Sequence, residues 1–124
     1  MLSKIIRAAL PMASLCLVLG ASVAPAAAQA PVLHVGSDTR AKSEAQCLTD
    51  AKFAITETGL AVTFTSGPHI GGAGTLEGAG VAVLVTCLPQ GPRTFIEVVG
   101  ASPDSSAAEQ TRNRVRTITM GPPS

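Results

Sequence analysis

The residues of this chain best suited to chemistry are its cysteines, and two of them, Cys47 and Cys87, lie 40 residues apart. Redox-active cysteines usually have C-x-x-C spacing, and a metal site needs more ligands than two distant thiols. The pair is therefore predicted to form a structural disulfide, provided that the protein reaches an oxidising compartment.

The other candidate catalytic groups form no recognisable motif. The histidines, His34 and His69, stand in neither an H-x-x-H nor an H-E-x-x-H pattern. No G-x-S-x-G or S-x-x-K sequence marks a nucleophile, and the acidic residues are scattered without a close pair for acid–base catalysis. Glu97, between apolar strand residues, is the one carboxylate that could be partly buried; the alternative is a cross-strand partner for Arg93 or a loop cation. The sequence predicts neither a metal site nor a cofactor site.

The glycine-rich stretch at residues 66–80 could in principle hold a phosphate, but it lacks both G-x-G-x-x-G and G-K-[ST], and a strand rather than a helix follows it. Arg112, Arg114 and Arg116 point to several sides of their predicted helix, and the aromatic residues needed to stack on bases are missing. These arginines are expected to form a solvated face, with no nucleic-acid binding.

The first 28 residues have the properties of a secretory signal peptide. Lys4 and Arg7 precede a short apolar segment that is interrupted by proline, glycine and serine, and a small-residue stretch follows. Cleavage is predicted after Ala28, with a second A-x-A site after Ala30. Leu15 before Cys16 argues against a lipid anchor. The mature protein is thus expected to be periplasmic or secreted, without a stable membrane anchor.

The mature chain would carry seven basic and eight acidic residues on about 95 residues, which is one small domain. A near-neutral chain is a poor ligand for nucleic acid or an anionic membrane. A core of this size is thin, so a disulfide that closes a ring of about 40 residues would add up to about 4 kcal/mol of stability.

Residues 29–42 form a lead-in with a candidate edge strand near residues 32–36. Ser43 begins a capping box, and an apolar stripe predicts a helix that ends at Gly59. Phe53 falls on the other side of that helix, as a lone surface aromatic or part of a contact patch. The predicted stripe consists of Cys47, Leu48, Ala51, Ala54, Ile55 and Thr58.

Strands are predicted at residues 60–65, 80–88 and 93–100, with a mobile glycine loop between the first two. A second helix is expected from a serine cap at Ser102, with Ser106 to Glu109 as a second capping-box candidate, to about Thr119. The domain thus spans residues 43–120, with a tail at 121–124.

This order predicts an α+β two-layer sandwich, with two helices on one face of an antiparallel sheet of three to four strands. If Cys87 bonds Cys47, then Val81, Val83 and Val85 face the helices. The opposite face then exposes Ala82, Leu84 and Leu88, with either the Phe95 and Val99 face or the Ile96 and Val98 face of the next strand. We expect the N-terminal segment or a second copy of the chain to cover it.

Several segments together resemble small exported bacterial proteins of uncharacterised function with a ferredoxin-like α+β sandwich. They are the signal peptide, Ala45-Gln46-Cys47-Leu48, the glycine loop, Val85-Thr86-Cys87, and Phe95 to Ala101 before a final helix. The resemblance covers roughly residues 42–120. It implies a fold and a compartment but no activity.

Two functions follow as hypotheses. The first is a noncatalytic exported domain that acts by protein or envelope contact through Phe53, Leu84, Leu88 and Phe95, with a homodimer or an unidentified envelope protein as the complex. The alternative is a small periplasmic hydrolase or ligand-binding protein with His69 and Glu77 at the glycine loop.

Overall fold

The computed structural model describes residues 30–123, which form five strands and two helices. The predicted signal peptide at residues 1–28 lies outside the described residues. The elements in chain order are β1 (Val32–Arg40), α1 (Glu44–Glu57), β2 (Ala61–Ser66), β3 (His69–Leu76), β4 (Ala79–Gln90), β5 (Arg93–Ser102) and α2 (Ser105–Met120).

The five strands form one antiparallel sheet in the order β1-β5-β4-β3-β2. Helix α1 packs over β2, β3 and β4, helix α2 packs over β1, β5 and β4, and the two helices also contact each other. The predicted α+β class, with two helices on an antiparallel sheet, is confirmed. The sheet has five strands rather than three or four, and the element order β-α-β-β-β-β-α differs from the β-α-β-β-α-β order of a ferredoxin-like chain, with which it shares two helices on one face of an antiparallel sheet.

The candidate edge strand of the lead-in is present, and it is longer than predicted because it extends from Val32 to Arg40. β1 pairs with β5 along its whole length, from Val32 opposite Ser102 to Arg40 opposite Thr94. These residues therefore extend the sheet sideways and do not fold across its open side.

The strand that the sequence did not predict is β3, which occupies the segment predicted to be a mobile loop. Two-residue turns at Gly67-Pro68 and Glu77-Gly78 join it to β2 and β4, and positive φ at both Glu77 and Gly78 is typical of a hairpin turn. The glycines of β3 serve packing, because a Cβ at Gly72 would lie 2.5 Å from Cγ2 of Ile55. Propensity indicated a loop, but pairing on both edges and the helix above stabilise a strand.

Helix α1 begins as predicted. The Ser43 hydroxyl accepts a hydrogen bond of 3.1 Å from the Gln46 amide, and the helix ends at Glu57, with Thr58 as its C-cap before Gly59, whose φ is 86°. Its buried residues are Cys47, Ala51, Ala54 and Ile55, so the predicted apolar stripe faces the sheet.

Helix α2 begins later than predicted. Its cap is Asp104, whose carboxylate accepts from the Ser106 and Ala107 amides at 2.9 and 3.2 Å. Ser102 instead ends β5, and its hydroxyl donates to the Gly80 carbonyl at 2.6 Å. The helix lies very close to the sheet at Gly100, where a Cβ would clash with the Ala108 carbonyl.

The core lies between the helices and one face of the sheet. The predicted disulfide is present: Cys47 on α1 is bonded to Cys87 on β4, and both are fully buried. β4 turns its odd-numbered residues towards the helices, as predicted, and β5 turns its even-numbered residues the same way. The buried aliphatic side chains of these two strands are Val81, Val83, Val85, Ile96 and Val98.

Candidate interaction surface

The face of the sheet opposite the helices carries the other residues of each strand, and we call it the open face. In β5 it presents Phe95, Glu97, Val99 and Ala101, all half-buried. The register of β5 on β4 thus selects the Phe95 and Val99 side from the two alternatives that the sequence allowed. No described residue packs as a second layer on this face, because both helices lie on the other side.

A row of large side chains crosses the open face, and we call it the ridge. Val35, Val99 and Leu84 are consecutive register partners on β1, β5 and β4. The row continues through Gly71 of β3 to Phe64 of β2, whose ring lies over Gly71. Val35 and Phe64 keep 51% and 48% of their surface exposed.

A row of small side chains runs beside the ridge, and we call it the valley. Ala101, Ala82 and Ala73 are register partners on β5, β4 and β3, with Leu33 of β1 at one end and Ala61 of β2 at the other. Two shallow grooves, of about 270 and 450 Å³, share the three central alanines. Alanine side chains are short and the side chains of the ridge are large. The open face therefore has a recessed row next to a raised row.

A polar row lies on the other side of the ridge. Nδ1 of His69 and Oγ1 of Thr86 share a hydrogen bond of 2.9 Å, and Glu97 lies opposite Thr86 in the register. The charged residues of the described strands on this face are Glu97 and Arg93, and Arg93 is the first residue of β5. Arg93 Nη2 donates to the Thr39 carbonyl at 3.2 Å. The open face therefore carries no net charge.

The two residues proposed for a catalytic site are not brought together. His69 begins β3 and Glu77 follows its last residue, so an extended strand separates them by about 25 Å. Glu77 lies beside α2, where its carboxylate is 3.9 Å from Nη2 of Arg114 and 3.4 Å from Nε2 of Gln110.

The four residues proposed for contact fall into two groups. Leu84 lies in the ridge, and Leu88 and Phe95 are register partners at the end of the open face near Arg93. Phe53 lies apart, on the solvent side of α1, with 57% of its surface exposed. It borders a separate cleft of about 460 Å³ that also contains Lys42 and Asp50.

The edge of β1 is shielded by arginines that the sequence indicated only as a solvated face. The side chains of Arg112 and Arg116 pass over Gly36, where a Cβ would lie 2.8 Å from Cδ of Arg116 and 3.1 Å from Cδ of Arg112. Arg112 Nη1 donates to the Val35 carbonyl at 3.0 Å. Charge at a sheet edge blocks the addition of another strand.

Asp38 of β1 has a shifted pKa at this edge. Arg40 Nη1 donates to its carboxylate at 2.6 Å, and this hydrogen bond, followed by one from the Thr39 amide, holds the pKa of Asp38 below its ordinary value. About half of the Asp38 side-chain surface, 48%, is exposed, so the effect is local to the edge.

No protein-family model and no curated protein matches this chain. Its own geometry is therefore the source of functional inference. Within residues 30–123, no helix has the length and apolarity to cross a membrane, and no three His, Cys, Asp or Glu side chains cluster to hold a metal ion. The open face instead offers a broad, mainly apolar surface with no net charge and with its own relief.

The sequence predicted only part of the open face. Period-two alternation identified β4 as apolar on both sides, but it gave no indication that glycine-rich β3 and lead-in β1 continue the same surface. The register shows this, because it aligns alanines from three strands into one valley.

Proposed function

We propose that this protein is an exported, noncatalytic binding domain that acts by protein contact through the open face. The observation that carries the proposal is the exposure of large apolar side chains that point the same way from separate strands: Leu33 at 61%, Val35 at 51%, Phe64 at 48% and Leu88 at 41%. Large apolar patches on the surface of a soluble protein mark interaction sites.

Export is part of the proposal and has two supports. The N-terminal sequence has the composition of a signal peptide, and the buried Cys47–Cys87 disulfide is compatible with an oxidising compartment. Mass spectrometry of the protein expressed from the full 124-residue chain tests it. A mature chain that begins at Gln29 or Pro31 is expected, and an uncleaved chain would contradict export.

We also propose kinship with small exported bacterial proteins that have a ferredoxin-like sandwich. The disulfide between a helix and a central strand and the placement of both helices on one face support this kinship. The alternative of a hydrolase receives no support from His69 and Glu77, which lie at opposite ends of β3.

The open face can be tested with a fluorescent dye that binds exposed apolar surface. At protein concentrations of about 0.1 µM, where a micromolar complex is dissociated, the wild-type protein should bind the dye. Leu84→Ser should reduce the signal several-fold, because it places a hydroxyl in the middle of the ridge.

The control is Phe53→Ser, which removes from α1 an apolar side chain that is 57% exposed and thus more exposed than the half-buried Leu84. It should leave most of the dye signal intact. The proposed function fails if the signal is lost with Phe53→Ser and kept with Leu84→Ser, since the apolar contact would then lie on the helix side.

A further inference from the structure

We propose that the partner of the open face is a second copy of this chain, packed sheet against sheet about a two-fold axis, with the ridge of each copy in the valley of the other. The inference rests on the proposed function and names its partner. It follows from the relief, dimensions and charge of the open face.

The relief is self-complementary on β4 and β5, where a large side chain of the ridge stands beside an alanine of the valley, whereas at the β1 edge Val35 would lie over Leu33. Neighbouring residues on one face of a strand are about 7 Å apart, so the ridge and the valley run side by side at that spacing. We place a two-fold axis in the plane between the two sheets, parallel to both rows and midway between them. Rotation about this axis puts the ridge of each copy over the valley of the other. Leu84 of one copy then lies over Ala82 of the other, and Val99 lies over Ala101.

The area is sufficient for a specific complex. Five strands at about 4.8 Å spacing and four rows of side chains at about 7 Å cover roughly 24 by 27 Å. This corresponds to about 650 Å² from each copy and about 1,300 Å² in total, which falls at the lower end of the range for specific interfaces. A dissociation constant in the micromolar range is expected.

The charges permit two copies to meet. Glu97 and Arg93 cancel on the open face, and the two-fold arrangement leaves the polar row at the rim. There His69 and Thr86 of one copy would lie over Thr75 and Gly80 of the other. Polar groups at the rim keep contact with water, which is the usual anatomy of an interface.

The chain's own structure also narrows the choice of partner. Residues 32–40, which could have folded across the open face, are paired with β5. Addition of a foreign strand at β1 is opposed by Arg112, whose guanidinium donates to the Val35 carbonyl. A second copy of the chain presents the same ridge and valley, and these match the valley and ridge of the first copy.

Sedimentation analysis of wild-type protein and three variants tests this arrangement. Ala82→Leu fills the valley and Leu84→Ala lowers the ridge, so each should raise the dissociation constant about tenfold. The double variant Ala82→Leu/Leu84→Ala should return to within about threefold of wild type, because it exchanges the large and the small side chain of β4 and the two rows stay complementary across the interface.

Circular dichroism should show an unchanged fold in all three variants, since Ala82 is exposed and Leu84 half-buried. Phe53→Ser is the control and should leave dimerisation unchanged. If Ala82→Leu tightens association, or the double variant is no better than the worse single variant, the association is unspecific and the ridge-in-valley dimer is refuted.

Wild-type protein that remains monomeric at about 100-fold above the expected micromolar constant would also overturn the proposal. Retained dye binding in that case would leave the open face as a contact surface for a different partner, such as an acyl chain in the valley. Loss of both dimerisation and dye binding would overturn the proposed function itself.

Discussion

Cys47 of α1 and Cys87 of β4 are joined by a disulfide with their Cα atoms 6.1 Å apart, and this bond ties the first helix to the central strand of the sheet. Because Cys87 must face α1, the bond also determines which residues of β4 are left on the open face.

The disulfide should contribute much of the stability of this small domain. Reduction, or the double variant Cys47→Ala/Cys87→Ala, is expected to lower the free energy of unfolding by up to about 4 kcal/mol, since a ring of 40 residues is opened. Urea titrations with and without reductant measure the difference. The double variant itself should be insensitive to reductant, and an equal midpoint for reduced and oxidised wild-type protein would contradict the prediction.

The glycines of β3 should be packing positions rather than sites of mobility. Gly72→Ala is expected to destabilise the fold by about 1–3 kcal/mol, because the new methyl group would lie 2.5 Å from Cγ2 of Ile55. Gly80→Ala is the matched control on β4, since no atom lies within 4 Å of its Cβ position. Equal urea midpoints for the two variants would show that β3 does not pack under α1 as described.

The ion pair at the edge of β1 should be visible in an acid titration. Arg40 depresses the pKa of Asp38 below 3.8, so the pair stabilises the folded state above that pH and the contribution is lost as the pH falls through the lowered pKa. The titration of the Asp38 carboxyl carbon by NMR gives the midpoint. Arg40→Gln should move it upwards, and a wild-type midpoint at or above 3.8 would be inconsistent with the pair.

Arg112 should protect the β1 edge. Arg112→Ala removes the hydrogen bond to the Val35 carbonyl and uncovers Gly36, so we expect a loss of about 1 kcal/mol in stability and faster growth of light scattering on storage. Arg114→Ala serves as the comparison, because the Arg114 side chain is 52% exposed and makes a long ion pair of 3.9 Å with Glu77. Identical scattering of the two variants would assign no protective role to Arg112.

The sequence by itself determined the elements with strong local signals and the covalent bond between them. The cap at Ser43 and the apolar stripe of α1 were predicted because a helix shows its buried face every third or fourth residue. Cys47 was paired with Cys87 because they are the two cysteines that follow the predicted signal peptide.

Only the tertiary structure decided the remainder. A run of glycine and alanine has no strand propensity of its own, and β3 exists because β2 and β4 supply hydrogen bonds on both sides while α1 fills the space above Gly72. The pairing of β3 with β4 and of β4 with β5 aligns Ala73, Ala82 and Ala101, which belong to three different strands, into one valley. Register across strands is a non-local property, and for that reason the continuation of the open face across β3 and β1 could not be predicted from periodicity within any single strand.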